Sequence, residues 1–201
     1  MYLSKILLPF QKAKNPYDIH RELWHMFPGR EDEKRDFLFR VEKQEKGYGA
    51  MVLMQSDQKP SSANNDYLRD NRKYEITLAK GQSLRFRLRA NPVKTIDDEA
   101  GRLNRKGEIK KCRVPLIHED EQKKWIERKL ESACLLDSLL IQQEVPLYFR
   151  KTAEQRTGKI QTVLFDGVIQ IEHPDNFMAI IKAGVGPAKA FGCGLISIAR
   201  I

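Results

Sequence analysis

Paired thiols, metal cages and membrane anchors all lack the residues they would need in this sequence. The three cysteines, Cys112, Cys134 and Cys193, lie far apart with no CxxC or Cys/His ligand spacing. A zinc site or disulfide framework is therefore not expected, and a reducing, cytoplasmic setting is the simplest reading. No apolar run approaches the roughly 18 residues of a membrane span, and the apolar start MYLSKILLPF is too short for a signal peptide. Carboxylates do not cluster at metal-binding spacing, which argues against a two-metal nuclease and leaves no metal expected. No GK[ST] follows a glycine loop, and the glycines near the C-terminus come after a helix and before a strand, so Walker and dinucleotide fingerprints both fail on order. No cofactor is expected.

What is present suits a globular chain with an anionic partner. The 201 residues are 41% hydrophobic, enough for one large or two small cores, and 36 Lys and Arg against 27 Asp and Glu leave a net charge of +9. Such an excess favours nucleic acid, nucleotide or anionic lipid without choosing among them.

Hydropathy periods give a strand near 2–9, a helix over 16–27, strands at 36–43 and 49–56, a polar stretch able to hold a short helix, and a strand at 73–78. The second half repeats the order: a strand in SLRFRLRANPVKT, the helix EDEQKKWIERKLESA, strands around PLYFR, KIQTVLF and GVIQIE, the helix PDNFMAIIKAG, and a last strand in GLISIAR. Two βαββαβ units predict an α+β, tandem ferredoxin-like (RRM-like) architecture, with one sheet face of each unit open to a ligand such as RNA. The boundary is set at the Lys-Gly-Gln turn, giving units 1–81 and 82–201.

The helix in NPYDIHRELWHMFPG opens on Asn15 as N-cap and Pro16 at the first helical position, with Asp18 completing a capping-box-like start. Ile19, Leu23, Met26 and Phe27 form its buried face. His25 points away, as a surface ring. His20 lies at the edge of the apolar stripe between Tyr17 and Trp24, where three rings can border a cleft. The N-terminal end of the helix dipole disfavours an imidazolium, so His20 is expected neutral and able to take a proton. A half-buried aromatic rim remains the competing account of the same trio.

Most of the net positive charge lies in Arg85–Arg113, whose ten Lys and Arg exceed its four acids by six of the chain's nine. Arg85, Arg87 and Arg89 alternate along one strand face. Lys94 follows, and a flexible loop then adds Arg102, Arg105, Lys106, Lys110, Lys111 and Arg113. An arginine row followed by a mobile basic loop is one way for a sheet to hold a phosphate backbone; a lysine-guarded edge is the alternative. In GVGPAKAFGCG, Gly184, Gly186, Gly192 and Gly194 surround Lys189, where backbone could approach a ligand or simply turn. RTGKIQT reads as the basic tip of a hairpin, with Arg156 and Lys159 able to enter a nucleic-acid groove.

The strings MYLSK, HRELWHMFPGR continuing into RDFLFRVEK, FRLRANPVKT, KKCRVPLI, GKIQTVLFDGV and GVGPAKAFGCGLIS are similar to one family across nearly the whole chain. They resemble the CRISPR-associated repeat endoribonucleases of the CasE type, the RNA-processing subunits of the type I-E Cascade complex. The resemblance implies the tandem ferredoxin-like fold and metal-independent cutting of precursor CRISPR RNA at the base of the repeat stem-loop. It further implies retention on the product hairpin and assembly with other Cascade subunits. It places the catalytic histidine on the first helix after a tyrosine three residues earlier, which matches His20 and Tyr17. Such cleavage uses the RNA's own 2′-OH, so it needs a base, charge stabilisation at the phosphate and an acid for the leaving oxygen. His20 is the expected base and Tyr17 the orienting or protonating group, with Lys111 and Lys189 weaker nominations for the phosphate. Two alternatives stay open: a non-catalytic RNA-hairpin-binding subunit of the same fold, and a phosphate-substrate transferase using the glycine-rich loop.

Overall fold

The computed structural model describes residues 1–29, 35–61, 66–151 and 156–201, the side chains of Lys151 and Arg156 excepted. Two four-stranded antiparallel sheets organise the chain. In the first, β1 (Tyr2–Leu8) is followed by a short α1 (Phe10–Ala13), then α2 (Pro16–Trp24), β2 (Phe37–Glu45), β3 (Gly49–Ser56) and β4 (Leu68–Lys73), in the sheet order β2-β3-β1-β4. In the second, β5 (Ser83–Ala90), α3 (Glu119–Leu130), β8 (Cys134–Gln143), β11 (Val163–Ile171), α4 (Pro174–Ala183) and β12 (Ile196–Arg200) give the order β12-β5-β11-β8. Both orders are that of a ferredoxin-like sheet, and the class is α+β with two such units in tandem.

Five expectations need correction. The second unit takes its second strand from β8, which the hydropathy periods leave unassigned, while PLYFR lies in a separate hairpin and GVIQIE continues the strand that VLF begins. The polar stretch before the fourth strand holds no helix among its described residues. The last strand of the first unit is Leu68–Lys73, not 73–78. The alternation in KYEITL has another cause: Ile76 and Leu78 pack against the core of the second unit. The chain from Lys94 to Arg113 is not a flexible loop but a hairpin of β6 (Val93–Asp97) and β7 (Lys111–Pro115), prolonged by a bridge between Leu103 and Ile109. Pro92, which lacks an N–H for the ladder, separates it from β5. RTGKI is not a tip but the strand β10 (Arg156–Ile160), paired with β9 (Leu147–Lys151).

Each unit has its own core. Ile6, Leu8, Ile19, Leu23, Phe37, Phe39 and Met54 fill the first, and Phe86, Leu88, Trp125, Ile126, Phe165 and Phe177 the second. The seam between them is polar. Arg40, only 3% exposed, donates through Nη1 to Arg87 O (2.9 Å) and through Nη2 to Ser197 Oγ (2.9 Å), with Glu42 as its ion-pair partner. Arg89 answers from the other side, donating to Val41 O (2.7 Å) and making two bonds to Glu144 (2.7 and 2.6 Å). A buried guanidinium stays charged only when its donors are met, and these two are met across the seam.

Candidate active site

The start of α2 is fixed from within and from the second unit. Asn15 Oδ1 accepts from the Tyr17 backbone N–H (3.2 Å), while its Nδ2 donates to Arg150 O on β9 (2.7 Å). The helix also contacts a 3-10 turn at Lys189–Phe191, so both halves of the chain meet around it. His25 is exposed, its Nδ1 3.7 Å from Glu22 Oε2.

His20 is half-buried in an aromatic recess. Its ring centre lies 5.6 Å from Phe37 and 6.3 Å from Phe39, and Trp24 meets it edge-on at 6.3 Å. Its Nε2 is buried and has no hydrogen-bond partner among the described residues. Loss of water, and then the charge of Arg35, push His20 down from 6.5 to about 4. The imidazole is therefore neutral at pH 7, as expected, although burial and not the helix dipole is the main cause.

Arg35 was not nominated from the sequence, yet the structure brings it to this recess. Burial holds its guanidinium below the usual arginine range, and its Nε is buried without a partner. Lys189 completes the group. Burial, then Arg35 and Lys129, lower its ammonium below the usual lysine range, and its Nζ donates to Ala183 O (2.7 Å). Ala188 just before it adopts φ 61°, a left-handed conformation uncommon outside glycine, to present Lys189 from the turn. Nothing in the local pattern of RDFLFR distinguishes Arg35 from a surface arginine.

The glycine-rich loop is packed against the first unit. A Cβ on Gly184 (φ 72°) would lie 2.7 Å from Leu38 Cδ1, and one on Gly192 (φ 82°) 3.2 Å from Phe39. Gly186 abuts Trp125, and Gly194 donates to Arg89 O (2.8 Å). Close approach to β2 and Trp125 therefore explains these glycines without a ligand, while the same packing places Lys189.

The basic residues divide by partner. Arg87 makes two bonds to Asp166 (2.7 and 3.2 Å), Arg89 is committed to the seam, Lys94 pairs with Glu121 (2.9 Å), Arg102 with Asp98 (2.7 Å), and Lys111 with Asp97. Arg85, Arg105, Lys106, Lys110 and Arg113 are exposed and unpaired among the described residues. Lys159 is exposed with its Nζ 6.0 Å from the centre of the Tyr148 ring, and the Arg156 side chain lies outside the described residues. Phe149 covers Gly158 and stacks at 4.5 Å on Phe191, which fastens the β9–β10 hairpin to the turn that carries Lys189.

Two ferredoxin-like units joined by crossed arginines, with His20 beside Arg35 in an aromatic recess and Arg35 in turn beside Lys189, define a tandem ferredoxin-like protein. The chain belongs to the CRISPR-associated protein family, whose model matches residues 1–200. It is 45% identical over 201 residues, all of both chains, to the CRISPR system Cascade subunit CasE of Escherichia coli K12. Its fold matches the crystal structure of the CRISPR-associated protein Cas6e from Escherichia coli K-12, with a TM-score of 0.87, 43% identity and full coverage of both chains. It also matches the CRISPR endoribonuclease Cse3 bound to a 19-nucleotide RNA, with a TM-score of 0.79, 32% identity and full coverage. Among the described residues no helix is long and apolar enough to cross a membrane.

Proposed function

We propose that this chain is a metal-independent endoribonuclease that cuts precursor CRISPR RNA at the base of the repeat stem-loop, keeps the product hairpin and joins a Cascade complex. The observation that carries the reading is the recess. A neutral imidazole with an unpartnered Nε2 lies beside an arginine with an unpartnered Nε, and Lys189 is held within the same electrostatic neighbourhood. Both orphaned polar atoms would be satisfied by a scissile phosphate and its flanking 2′-OH reaching the recess. The similarity to a Cascade subunit and to an RNA-bound endoribonuclease supports the substrate and the assembly.

In this mechanism His20 takes the 2′-OH proton as that oxygen attacks phosphorus. Arg35 and Lys189 offset the charge that gathers on the phosphate oxygens, and Tyr17, one helical turn from His20, orients the ribose or protonates the leaving 5′-oxygen. The nucleophile belongs to the RNA, so the step balances without a metal ion or a water. Stem binding falls to Arg105, Lys106, Lys110 and Arg113 on the β6–β7 hairpin, with Arg85, Arg156 and Lys159 as further contacts. Arg87, Arg89, Lys94, Arg102 and Lys111 contribute only if RNA displaces their carboxylate or seam partners. Residues 1–81 and 82–201 act as the two units, supported by sheets that end at Lys73 and begin again at Ser83. A cytoplasmic location fits the RNA substrate.

The test is cleavage of a repeat hairpin from the same genome. Cutting should continue in EDTA and stop when the 2′-OH upstream of the scissile bond is replaced by hydrogen. Loss of cutting on chelation, or normal cutting of the deoxy substrate, overturns the mechanism. Retained hairpin binding with no cleavage by the unmodified protein would favour the non-catalytic alternative.

A further inference from the structure

The second sheet ends on β8, a ten-residue strand whose only partner among the described residues is β11. Its outer edge and the flank of α3 enclose a groove of about 450 Å³. The groove has its own chemistry in a basic protein: Glu119, Asp120, Glu127 and Asp137 line it against one cation, Lys123. Its floor is apolar, from Leu136, Leu139 and Ile141, while Leu140, paired with Asp166, turns to the opposite sheet face beside Arg85. None of these residues belongs to the recess or to the basic hairpin.

A long unpaired strand edge offers backbone donors and acceptors to another chain, and proteins that do not use such an edge blunt it. Here the blunting is partial. A bulge at Asp137, where Leu136 and Ser138 face the consecutive residues Ile169 and Val168, disfavours indiscriminate pairing with a flat strand. The apolar floor keeps the groove able to bury a side chain. Four carboxylates repel RNA, so the occupant is not the substrate. A second copy is a poorer fit. The matching basic edge of this chain is β4, with Arg69, Arg72 and Lys73, and β4-on-β8 pairing is head to tail and would propagate into filaments.

We propose that the α3–β8 groove docks an extended, basic segment of another protein subunit, which adds a strand to β8 and sets its Lys or Arg side chains against Glu119, Glu127 and Asp137. The proposal rests on the reading that this chain joins a Cascade complex, and it places that contact on the side of α3 away from the pairing of Lys94 with Glu121 that ties the helix to the RNA-binding hairpin. RNA and protein partners are then sorted by sign of charge.

The test uses the other Cascade subunits of the same genome, assembled on a guide RNA without its repeat hairpin so that RNA cannot tether this chain. The unmodified protein should bind that complex. Glu127→Lys/Asp137→Lys and, separately, Glu119→Lys/Asp120→Lys should bind at least ten-fold more weakly while cutting the free hairpin within about two-fold of the unmodified rate, and Lys123→Glu should bind at least as well as the unmodified chain. Equal binding by the charge-reversed protein, or no binding by the unmodified one, overturns the proposal. So does concentration-dependent self-association abolished by Glu127→Lys/Asp137→Lys, which would make a second copy the occupant. Loss of hairpin cleavage together with docking would also overturn it, by placing the groove in the RNA-handling surface. Failure of the unmodified protein to cut RNA is a separate result that bears on the proposed function alone.

Discussion

Replacing Arg35 by glutamine tests whether the recess works electrostatically. The gap between 6.5 and about 4 for His20 corresponds to roughly 3 kcal/mol against the imidazolium. Burial is the larger cause and Arg35 the smaller, so Arg35→Gln should recover less than half of that gap and bring His20 no further than about 5. The ring carbon protons of histidine-labelled protein, followed by NMR through a pH titration, read this directly, with a His20→Phe variant assigning the signal among the four histidines. Catalysis should change in two opposite ways. The acid limb of kcat/KM, which reports the free enzyme, should move up with the His20 titration, while the plateau above pH 7 falls about 100-fold because a phosphate-facing cation is gone. A merely structural Arg35 would lower the plateau and leave the limb in place. Titration of His20 near 6.5 in the unmodified protein, or an acid limb that ignores Arg35→Gln, refutes the reasoning.

Removing the charges of Arg105, Lys106, Lys110 and Arg113 together should weaken hairpin binding and lower the salt slope by about 3, since each phosphate contact releases counterions. The same operation on Arg102 and Lys111, already paired with Asp98 and Asp97, should change the slope by less than about 1; a filter-binding salt series separates the two sets, and equal slopes would refute the division. Gly184→Ala, which meets Leu38 at a positive φ, should cost about 2–3 kcal/mol in urea unfolding, and a change under about 0.5 kcal/mol would show that the loop yields freely. Arg40→Met should cost about 3 kcal/mol by removing one side of the seam, toward the lower end for a broken buried pair because Glu42 can rehydrate.

How far the sequence could be read depended on whether the governing interactions were local. The start of α2 is settled by Asn15 and Pro16 within one turn, and β5 by strict alternation in SLRFRLRA, so both were legible. KYEITL alternates just as clearly, but Ile76 and Leu78 face the other unit's core and no ladder forms. β8 has an apolar run that suits strand or helix, and its pairing partner lies beyond a whole hairpin. The arginine row misleads for a similar reason. Arg89 finds Glu144 at a separation of 55 residues, and no pattern of charge along the chain announces that pair. The place of His20 at the edge of the apolar stripe was legible because a capped helix fixes its face, while its catalytic role is what the family resemblance implies. Arg35 was not, since its value comes from loss of water in a recess that only the packed units create.

The recess carries a cost that the proposed phosphate-handling role would explain. His20 Nε2 and Arg35 Nε are both buried and unpaired, and each such group is worth about 1–3 kcal/mol of lost stability. A fold selected for stability alone would place an apolar ring between Phe37, Phe39 and Trp24. His20→Phe should therefore stabilise the protein by about 1 kcal/mol or more at pH 7.5 while abolishing cleavage. The pH dependence gives a second readout of known sign. Because the folded-state value of His20 lies below 6.5, the unfolded chain binds its proton first, so the unmodified protein loses stability as pH falls from 6.5 toward about 4. The His20→Phe protein lacks that loss, and the difference between the two should widen across this window by up to about 3 kcal/mol. Urea unfolding of both proteins at pH 7.5 and pH 4.5 is the measurement. A His20→Phe variant that is less stable at both pH values would mean that the imidazole is satisfied where it sits, and the recess would lose its claim to be waiting for a phosphate.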